Sequence, residues 1–299
     1  MSSSAWSSSG LLLVDKPAGP TSHDVVGMIR KAAGTKRVGH TGTLDPFASG
    51  LLLLLLGSAT RLSEYLLGMD KEYDATVRLG AETTTHDPEG ETVSESEGWR
   101  DLGRDRVEAA LKTLTGVLLQ KPPSYSAKKV RGESAHKRVR RGEAVELEPV
   151  EVTVRRLHLR EMSLPELRVE VECSSGTYIR ALARDLGRAL GVGAHLTTLR
   201  RTAVGPHEVE SALPPCALSN PESIRENLAA PAAALGHFPA LEVEKEDAAK
   251  LRHGQFLPIP DGLSLGEGPM RVLLHGDLVA VAARQGHKLR PQKVFGVEN

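Results

Sequence analysis

Aromatic residues make up only 3% of the 299-residue chain, cysteines number two, and the charges cancel, 38 Lys and Arg against 38 Asp and Glu. Each scarcity excludes something. With so few rings the core has to be built from Leu, Val and Ala, and an aromatic beside polar residues gains interest. Cys173 and Cys216 lie far apart without Cys-x-x-Cys spacing, which argues against a structural zinc site or a disulfide framework and suits a reducing cytosol. Zero net charge removes any case for nucleic acid from average composition, so only local clustering can make one. The leucine run Leu51–Leu56 has six residues, far short of the roughly 20 that span a bilayer. The N-terminal MSSSAWSSSG carries no basic region ahead of its short apolar run, unlike a signal peptide. Walker loops, dinucleotide fingerprints and solenoid repeats are missing too. The expectation is a cytoplasmic protein with a disordered serine-rich tail over residues 1–9, no metal, no cofactor and no membrane contact.

What is present alternates between strand and helix. GLLLVDKPAGPTSHDVVGMIRKAAG opens as a buried strand, breaks at Pro17 and Gly19, and resumes as a helix capped by Thr21 or Ser22 and ended by Gly34. The leucine run reads as a fully buried strand by its length and flanking glycines. In KEYDATVRLG the residues Tyr73, Ala75, Val77 and Leu79 share one face, the period of a half-buried strand. RVEAALKTLTG reads as an amphipathic helix closed by Gly116, and EVTVRRLHLRE with ELRVEVECS as a hairpin. Ile179, Leu182, Ala183, Leu186 and Leu190 then follow helical spacing. This order predicts an α+β fold with a mixed, largely antiparallel central sheet and flanking helices over residues 10–235. Beyond Pro231 the short strands LEVE, RVLLH, DLVAVAAR and QKVFGV surround one helix near DAAKLRHG, which predicts a small β-barrel-like domain over residues 236–299.

Several residues stand out chemically. In GHTGTLDPFASGLLLLLLG, Asp45 precedes a proline in a turn, where a carboxylate either braces the turn or projects as a reactive group. His40 shares that loop, as a loop-bracing group or a base, with no second ligand at metal spacing. Tyr73 is either a core-edge residue or a stacking platform. Arg180, Arg184 and Arg188 line up at i, i+4, i+8, the spacing of a solvated face. Yet Arg180 opposes the dipole at its helix N-terminus, and a partner carboxylate would account for it. Asp87 in HDPEG reads as a turn residue, so the second carboxylate of a glycoside hydrolase is wanting. The segment QKPPSYSAKKVRGESAHKRVRRG sets Lys121, Lys128, Lys129, Arg131, Lys137, Arg138, Arg140 and Arg141 against Glu133 alone, as a phosphate-binding element or a solvated basic face.

The motifs GLLLVDKPAGPTS, GHTGTLDPFASGLL, KEYDATVRLG, QKPPSYSAKKVRG, CSSGTYIRALARDLG and LRRTAVG occur in the order seen in bacterial tRNA pseudouridine synthases that modify uridine 55 of the T-loop. The chain resembles that family over roughly residues 10–205, and its C-terminal segment resembles the family's small PUA-type RNA-binding domain. The resemblance implies the pseudouridine synthase fold and an isomerase that breaks the N-glycosidic bond of uridine and rejoins the base through carbon. It implies Asp45 as the essential carboxylate, His40 beside the flipped-out nucleotide, Tyr73 stacked on the base, Arg180 paired with Asp45, and Leu199 in the pocket wall. Lys16, Lys128, Lys129, Arg131, Arg140 and Arg141 are the expected RNA contacts, Lys128 to Arg141 lying in a basic insertion around residues 120–150. One departure bears on that grip: His136 stands where the family often has tyrosine, with Val139 before Arg140. The implied partner is tRNA, through its T-loop and stem, bound by a monomer with no obligate protein partner. The alternative on the same scaffold is a non-catalytic tRNA-binding protein or RNA chaperone.

Overall fold

The structure is a computed structural model that describes residues 8–125, 129–130, 133–134, 138, 141, 143, 147–259, 266 and 268–296. Strand β1 (Gly10–Lys16) leads through a proline-rich turn into helix α1 (Ser22–Ala33). Thr21 is the cap: its Oγ1 accepts from the Asp24 amide, and the Asp24 carboxylate accepts from the Thr21 amide. Gly34, at φ 63°, closes the other end in the left-handed region, as a glycine can at little cost. Thr21→Ala should therefore cost about 1 kcal/mol, read as a lower urea midpoint with an unchanged slope. An unmoved midpoint would show that the cap contributes nothing to stability.

Strand β2 (Val38–His40) pairs with β3 (Ser49–Leu56). Leu52, Leu54 and Leu56 pack on Val25, Val26 and Ile29 of α1. Leu51, Leu53 and Leu55 pack on the other side, against Ala59, Leu62 and Leu66. Burial on both faces explains why this strand is unbroken leucine rather than alternating, each side chain contributing about 1.5–3 kcal/mol.

Helix α2 (Ser63–Leu67) precedes β4 (Lys71–Leu79), and the hairpin β5 (Ala81–Thr83) and β6 (Thr92–Glu95) carries the loop around Asp87. Helix α3 (Arg104–Thr113) stops short of the expected Gly116. The Leu114 amide already turns back to Leu111, and Gly116, at φ 105°, instead opens β7 (Gly116–Gln120). The two-residue pair β8 (Lys129–Val130) and β9 (Glu133–Ser134) follows, then the hairpin β10 (Val150–Ser163) and β11 (Glu166–Cys173), helix α4 (Ile179–Leu190) and β12 (Ala194–Val204). After β13 (His207–Glu208), α5 (Pro221–Glu226), β14 (Leu228–Ala229) and α6 (Pro231–Ala234), the main unit is complete.

Its ten-stranded sheet runs β14-β1-β3-β12-β4-β11-β10-β7, with β2 beside β3 and β13 beside β12. All pairings are antiparallel except β3 with β12, the mixed, largely antiparallel sheet that the sequence predicts. Tyr73, Ala75, Val77 and Leu79 face the apolar side of α4 and α3, as their alternation requires. At the parallel join Gly50 opposes Arg201. Its φ is 101°, and a Cβ there would stand 2.2 Å from the Arg201 carbonyl, so only glycine lets the two strands meet.

The C-terminal unit is a five-stranded sheet, β15 (Ala240–Glu242), β17 (Met270–Leu274), β18 (Asp277–Gln285), β19 (Lys288–Val294) and β16 (Leu257–Pro258) in spatial order, packed on helix α7 (Lys245–Arg252). Its Leu278, Val281 and Phe295 join the apolar cluster of Leu51, Leu53, Leu55 and Leu66. Polar links reinforce the join: Arg61 donates to the Val294 carbonyl at 2.5 Å, Tyr65 bonds Gln292 at 3.2 Å, and Lys293 pairs with Glu64 at 2.6 Å. At the N-terminus Ser9 is held, its Oγ accepting from the Ser58 amide at 2.7 Å, so the packed chain begins one residue earlier than expected. Residues 1–7 of the expected tail lie outside the described residues.

Candidate active site

Asp45 sits at the end of a loop fixed from both sides. The Ser22 hydroxyl, in the first turn of α1, accepts from the Leu44 amide at 2.9 Å and donates to the Leu44 carbonyl at 3.1 Å. The Gly19 amide donates to the Pro46 carbonyl at 2.8 Å, and Arg201 donates to the Gly42 carbonyl at 3.1 Å and the Leu51 carbonyl at 2.7 Å. The loop is therefore tied to α1, to the turn after β1 and to β3.

Lys16 belongs to this bracing, which corrects its expected role in RNA contact. It is fully buried, and its ammonium donates to the carbonyls of Pro17, Pro20 and Pro46 at 2.8, 2.7 and 3.3 Å. Three acceptors use its three donors. Burial pushes its pKa down to about 8, partly offset by the attraction of Asp45.

The loop faces α4. Arg180 Nε lies 2.9 Å from Asp45 Oδ2, and Nη2 donates to Oδ1 at 3.2 Å. The same guanidinium donates through Nη1 to Asp87 Oδ2 at 3.1 Å and to the Thr85 carbonyl at 3.0 Å, and through Nη2 to the Tyr125 carbonyl at 2.8 Å. One arginine thus binds two carboxylates. The helical spacing predicted a solvated face, but Arg180 and Arg184 are both buried and only Arg188 is exposed. Arg180 has its carboxylates, and Arg184 donates to its neighbour Asp185 and to the Lys121 carbonyl. Partners in loops remote in sequence are what the periodicity could not show.

Asp87 is a turn residue and more. Its Oδ1 accepts from the Glu89 amide at 3.0 Å, while its Oδ2 goes to Arg180. Burial pushes the Asp45 carboxyl above its usual range; Arg180 pulls it back down and Asp87 pushes it up again. The Asp45 side chain is still 35% exposed, because it opens on a recess rather than into packed core.

That recess, about 260 Å³, is lined by Gly42, Asp45, Lys71, Tyr73, Leu199 and Arg201 among others, with the Gly176–Arg180 turn closing one side. Its volume is at the small end for a ligand pocket. Tyr73 and Leu199 are nearly buried and enter from adjacent strands, β4 and β12. Burial raises the Tyr73 phenol, and the Arg201 guanidinium against its hydroxyl opposes that shift. His40 lies outside the lining, at the end of β2 opposite Leu54, its Nδ1 buried without a partner. Burial and the nearby Arg201 lower its pKa, so it is neutral at pH 7. The structure thus brings Asp45, Arg180, Tyr73 and Leu199 together and leaves His40 at the margin. Sequence reasoning missed Asp87, Lys71 and Arg201.

Of the basic side chains of this segment, Lys121, Arg138 and Arg141 are described, and the two arginines both pair with Glu143, at 2.6 and 2.9 Å. Glu143 directly follows residues 120–142, a stretch in which Glu133 is the single acid. Lys128, Arg131, His136, Val139, Arg140 and the Lys129 side chain lie outside the described residues. Among the described residues no three of His, Cys, Asp and Glu are placed to hold a metal ion, and no helix is long and apolar enough to cross a membrane.

Residues 30–179 match the TruB family pseudouridylate synthase N-terminal domain, and residues 180–215 match the tRNA pseudouridylate synthase B C-terminal domain. The chain belongs to the TruB family. It is accordingly a pseudouridine synthase, on the fold that the sequence predicts. A tRNA pseudouridine synthase B of Thermobifida fusca is 45% identical, covering 96% of this chain and 98% of its own. One from Corynebacterium efficiens is 47% identical, covering 85% and 86%. Among solved structures, an H/ACA RNP bound to a substrate RNA containing 2′-deoxyuridine superposes with TM-score 0.73 at 26% identity, covering 97% of this chain and 86% of that one. A Cbf5-Nop10-Gar1 complex gives TM-score 0.73 at 27% identity, covering 96% and 85%. The TruB-family matches meet at residues 179 and 180, so both take part in the pocket: Asp45 and Tyr73 come from the first, Arg180, Leu199 and Arg201 from the second.

Proposed function

We propose that the protein converts uridine 55 in the T-loop of tRNA to pseudouridine, with Asp45 as the essential carboxylate. The observation that carries this reading is the Asp45–Arg180 ion pair at the edge of a recess lined by Tyr73 and Leu199. The names of the relatives support tRNA as the substrate, and a tRNA-modifying enzyme works in the cytoplasm.

The reaction is an isomerisation, so nothing is oxidised and no energy donor is consumed. The C1′–N1 bond breaks with its electron pair on N1, the base turns, and C5 gives an electron pair to C1′. C5 then loses its proton and N1 gains one. A carboxylate next to C1′ serves by attacking the sugar, by stabilising its cationic form or by taking a sugar proton, and each requires it ionised. Arg180 supplies that condition where burial opposes it.

Access requires the base to leave the folded RNA at a cost of a few kcal/mol. Stacking on Tyr73 would return about 1–3 kcal/mol, and phosphate contacts from the basic segment the remainder. A glycoside hydrolase reading loses ground, because Asp87 shares Arg180 with Asp45 and lies outside the recess lining rather than across it.

The test is incubation with an unmodified tRNA transcript and with one carrying cytidine at position 55, mapping pseudouridine by carbodiimide-dependent reverse-transcription stops. One stop at position 55, lost in the cytidine transcript, is expected. No product, or product elsewhere, would remove the assignment and leave the binding-protein alternative.

A further inference from the structure

The recess lining holds two further cations besides the Asp45–Arg180 pair, Lys71 and Arg201. Lys71 and Arg201 both come close to Gly42: a Cβ built on that glycine would lie 3.5 Å from Arg201 Nη1 and 3.9 Å from Lys71 Cε. Tyr73, in the same lining, feels both Arg201 and Asp45. Lys71 is nearly buried, and its charged or titratable neighbours are Arg201, Cys173 and Asp70, with Asp45 not among them. Its ammonium donates to the carbonyls of Leu67 and Met69 at 2.9 and 2.5 Å. A third N–H has no protein acceptor among the described residues, and Lys71 lines the recess.

These charges match a uridine in the act of reacting. With its sugar at Asp45 and its ring on Tyr73, a uridine in the recess would have Lys71 and Arg201 within the same lining to meet its ring carbonyls. When C1′–N1 breaks, the electron pair leaves with N1 and spreads onto O2 and O4, making the base a monoanion until C5 returns a pair to C1′. Placed cations aimed at charge that develops only in the transition state accelerate the step, since they need no reorganisation.

We propose that Lys71, with Arg201 beside it, takes up the negative charge that the uracil ring acquires as its glycosidic bond breaks. The assignment rests on the pseudouridylation reading and adds a catalytic residue to it. Lys71 also holds the end of α2 through Leu67, so a merely structural role has to be separated from a chemical one.

The separating experiment compares single-turnover rates on tRNA carrying uridine or 5-fluorouridine at the target. Fluorine at C5 withdraws electrons and stabilises the departing anion by itself. Lys71→Gln should slow consumption of uridine by about 10²-fold, the usual loss for one charge-stabilising group. It should lag by no more than roughly tenfold on 5-fluorouridine, where less stabilisation is wanted. The wild-type rate should fall as pH rises through about 8, where burial has pushed the Lys71 ammonium. Lys71→Arg, charged throughout that range, should keep the rate and lose the alkaline limb. Equal lags on both substrates, or an alkaline limb that survives in Lys71→Arg and so belongs to Lys16, would overturn the assignment. Inactive wild type on the uridine transcript would overturn the pseudouridylation reading along with it, whereas active wild type with equal lags overturns this one alone.

Discussion

Asp45→Asn should bind unmodified tRNA as tightly as the wild type while its turnover falls by about 10³-fold or more, the upper range for a side chain acting on reacting atoms. The substitution keeps the shape and removes the charge. Its surroundings are built to survive the change: Arg180 retains Asp87, Thr85 and Tyr125, and Ser22 still holds Leu44 from both sides. Release of tritium from C5-labelled uridine measures the turnover, and filter binding the affinity. Turnover at a substantial fraction of the wild-type rate would dismiss Asp45 from the chemistry, and lost binding would make it an RNA contact instead.

The same variant reports on stability, with a sign fixed by the Asp45 carboxyl. Its folded pKa lies above the usual 3.8 because burial outweighs Arg180. The native state therefore holds this proton more firmly than the unfolded chain does. Stability from this group falls as pH rises from about 4 through the raised pKa. At neutral pH an ionised Asp45 is a burden on the fold, and Asn should melt at the same temperature or a higher one. A site that gains stability when its function is removed is what a preorganised carboxylate implies.

Much of this was legible in the residues because local physics decided it. Thr21 and Asp24 announce their helix start, the KEYDATVRLG alternation its half-buried strand, and the six leucines their two-sided burial. Arg180 stands at the wrong end of its helix dipole, which points to a partner carboxylate. What stayed hidden depends on who meets whom across the fold. Asp87 carries an ordinary turn signature, and only the β5–β6 loop, folded against α4, turns its second oxygen to Arg180. Lys16 reads as an RNA contact, and Lys71 carries no signal beyond sharing the strand parity of Tyr73, yet both fold their ammonium groups back onto carbonyls and are buried. Arg201 follows Arg200 in the sequence. Their different fates, one inside at Gly50 and one paired with Asp15 at 2.9 Å, follow from the register of β12 on β3.

Arg180→Met should give the second large effect, and a companion variant separates its two causes. Removing the guanidinium takes away the strongest influence holding the Asp45 carboxyl down and leaves the push from Asp87 in place. Loss of an adjacent arginine is worth about 1–3 pKa units, so the acid limb of the pH–rate profile should move up by about that much. Two carboxylates would also lose a common partner, a change of about 3–5 kcal/mol for a broken buried pair, which predicts a clearly lower melting temperature at pH 7 that recovers in part as the pH is lowered and the carboxylates are protonated. Asp87→Asn does the opposite to the charge balance. It removes the push on Asp45, so the acid limb should move to lower pH, while a less firmly held Arg180 lowers the plateau rate. Two limbs displaced in opposite directions establish Arg180 as the device that keeps Asp45 ionised inside an apolar site. Limbs that stay together, with only the plateaus reduced, would mean that Arg180 and Asp87 position the loop without tuning its charge.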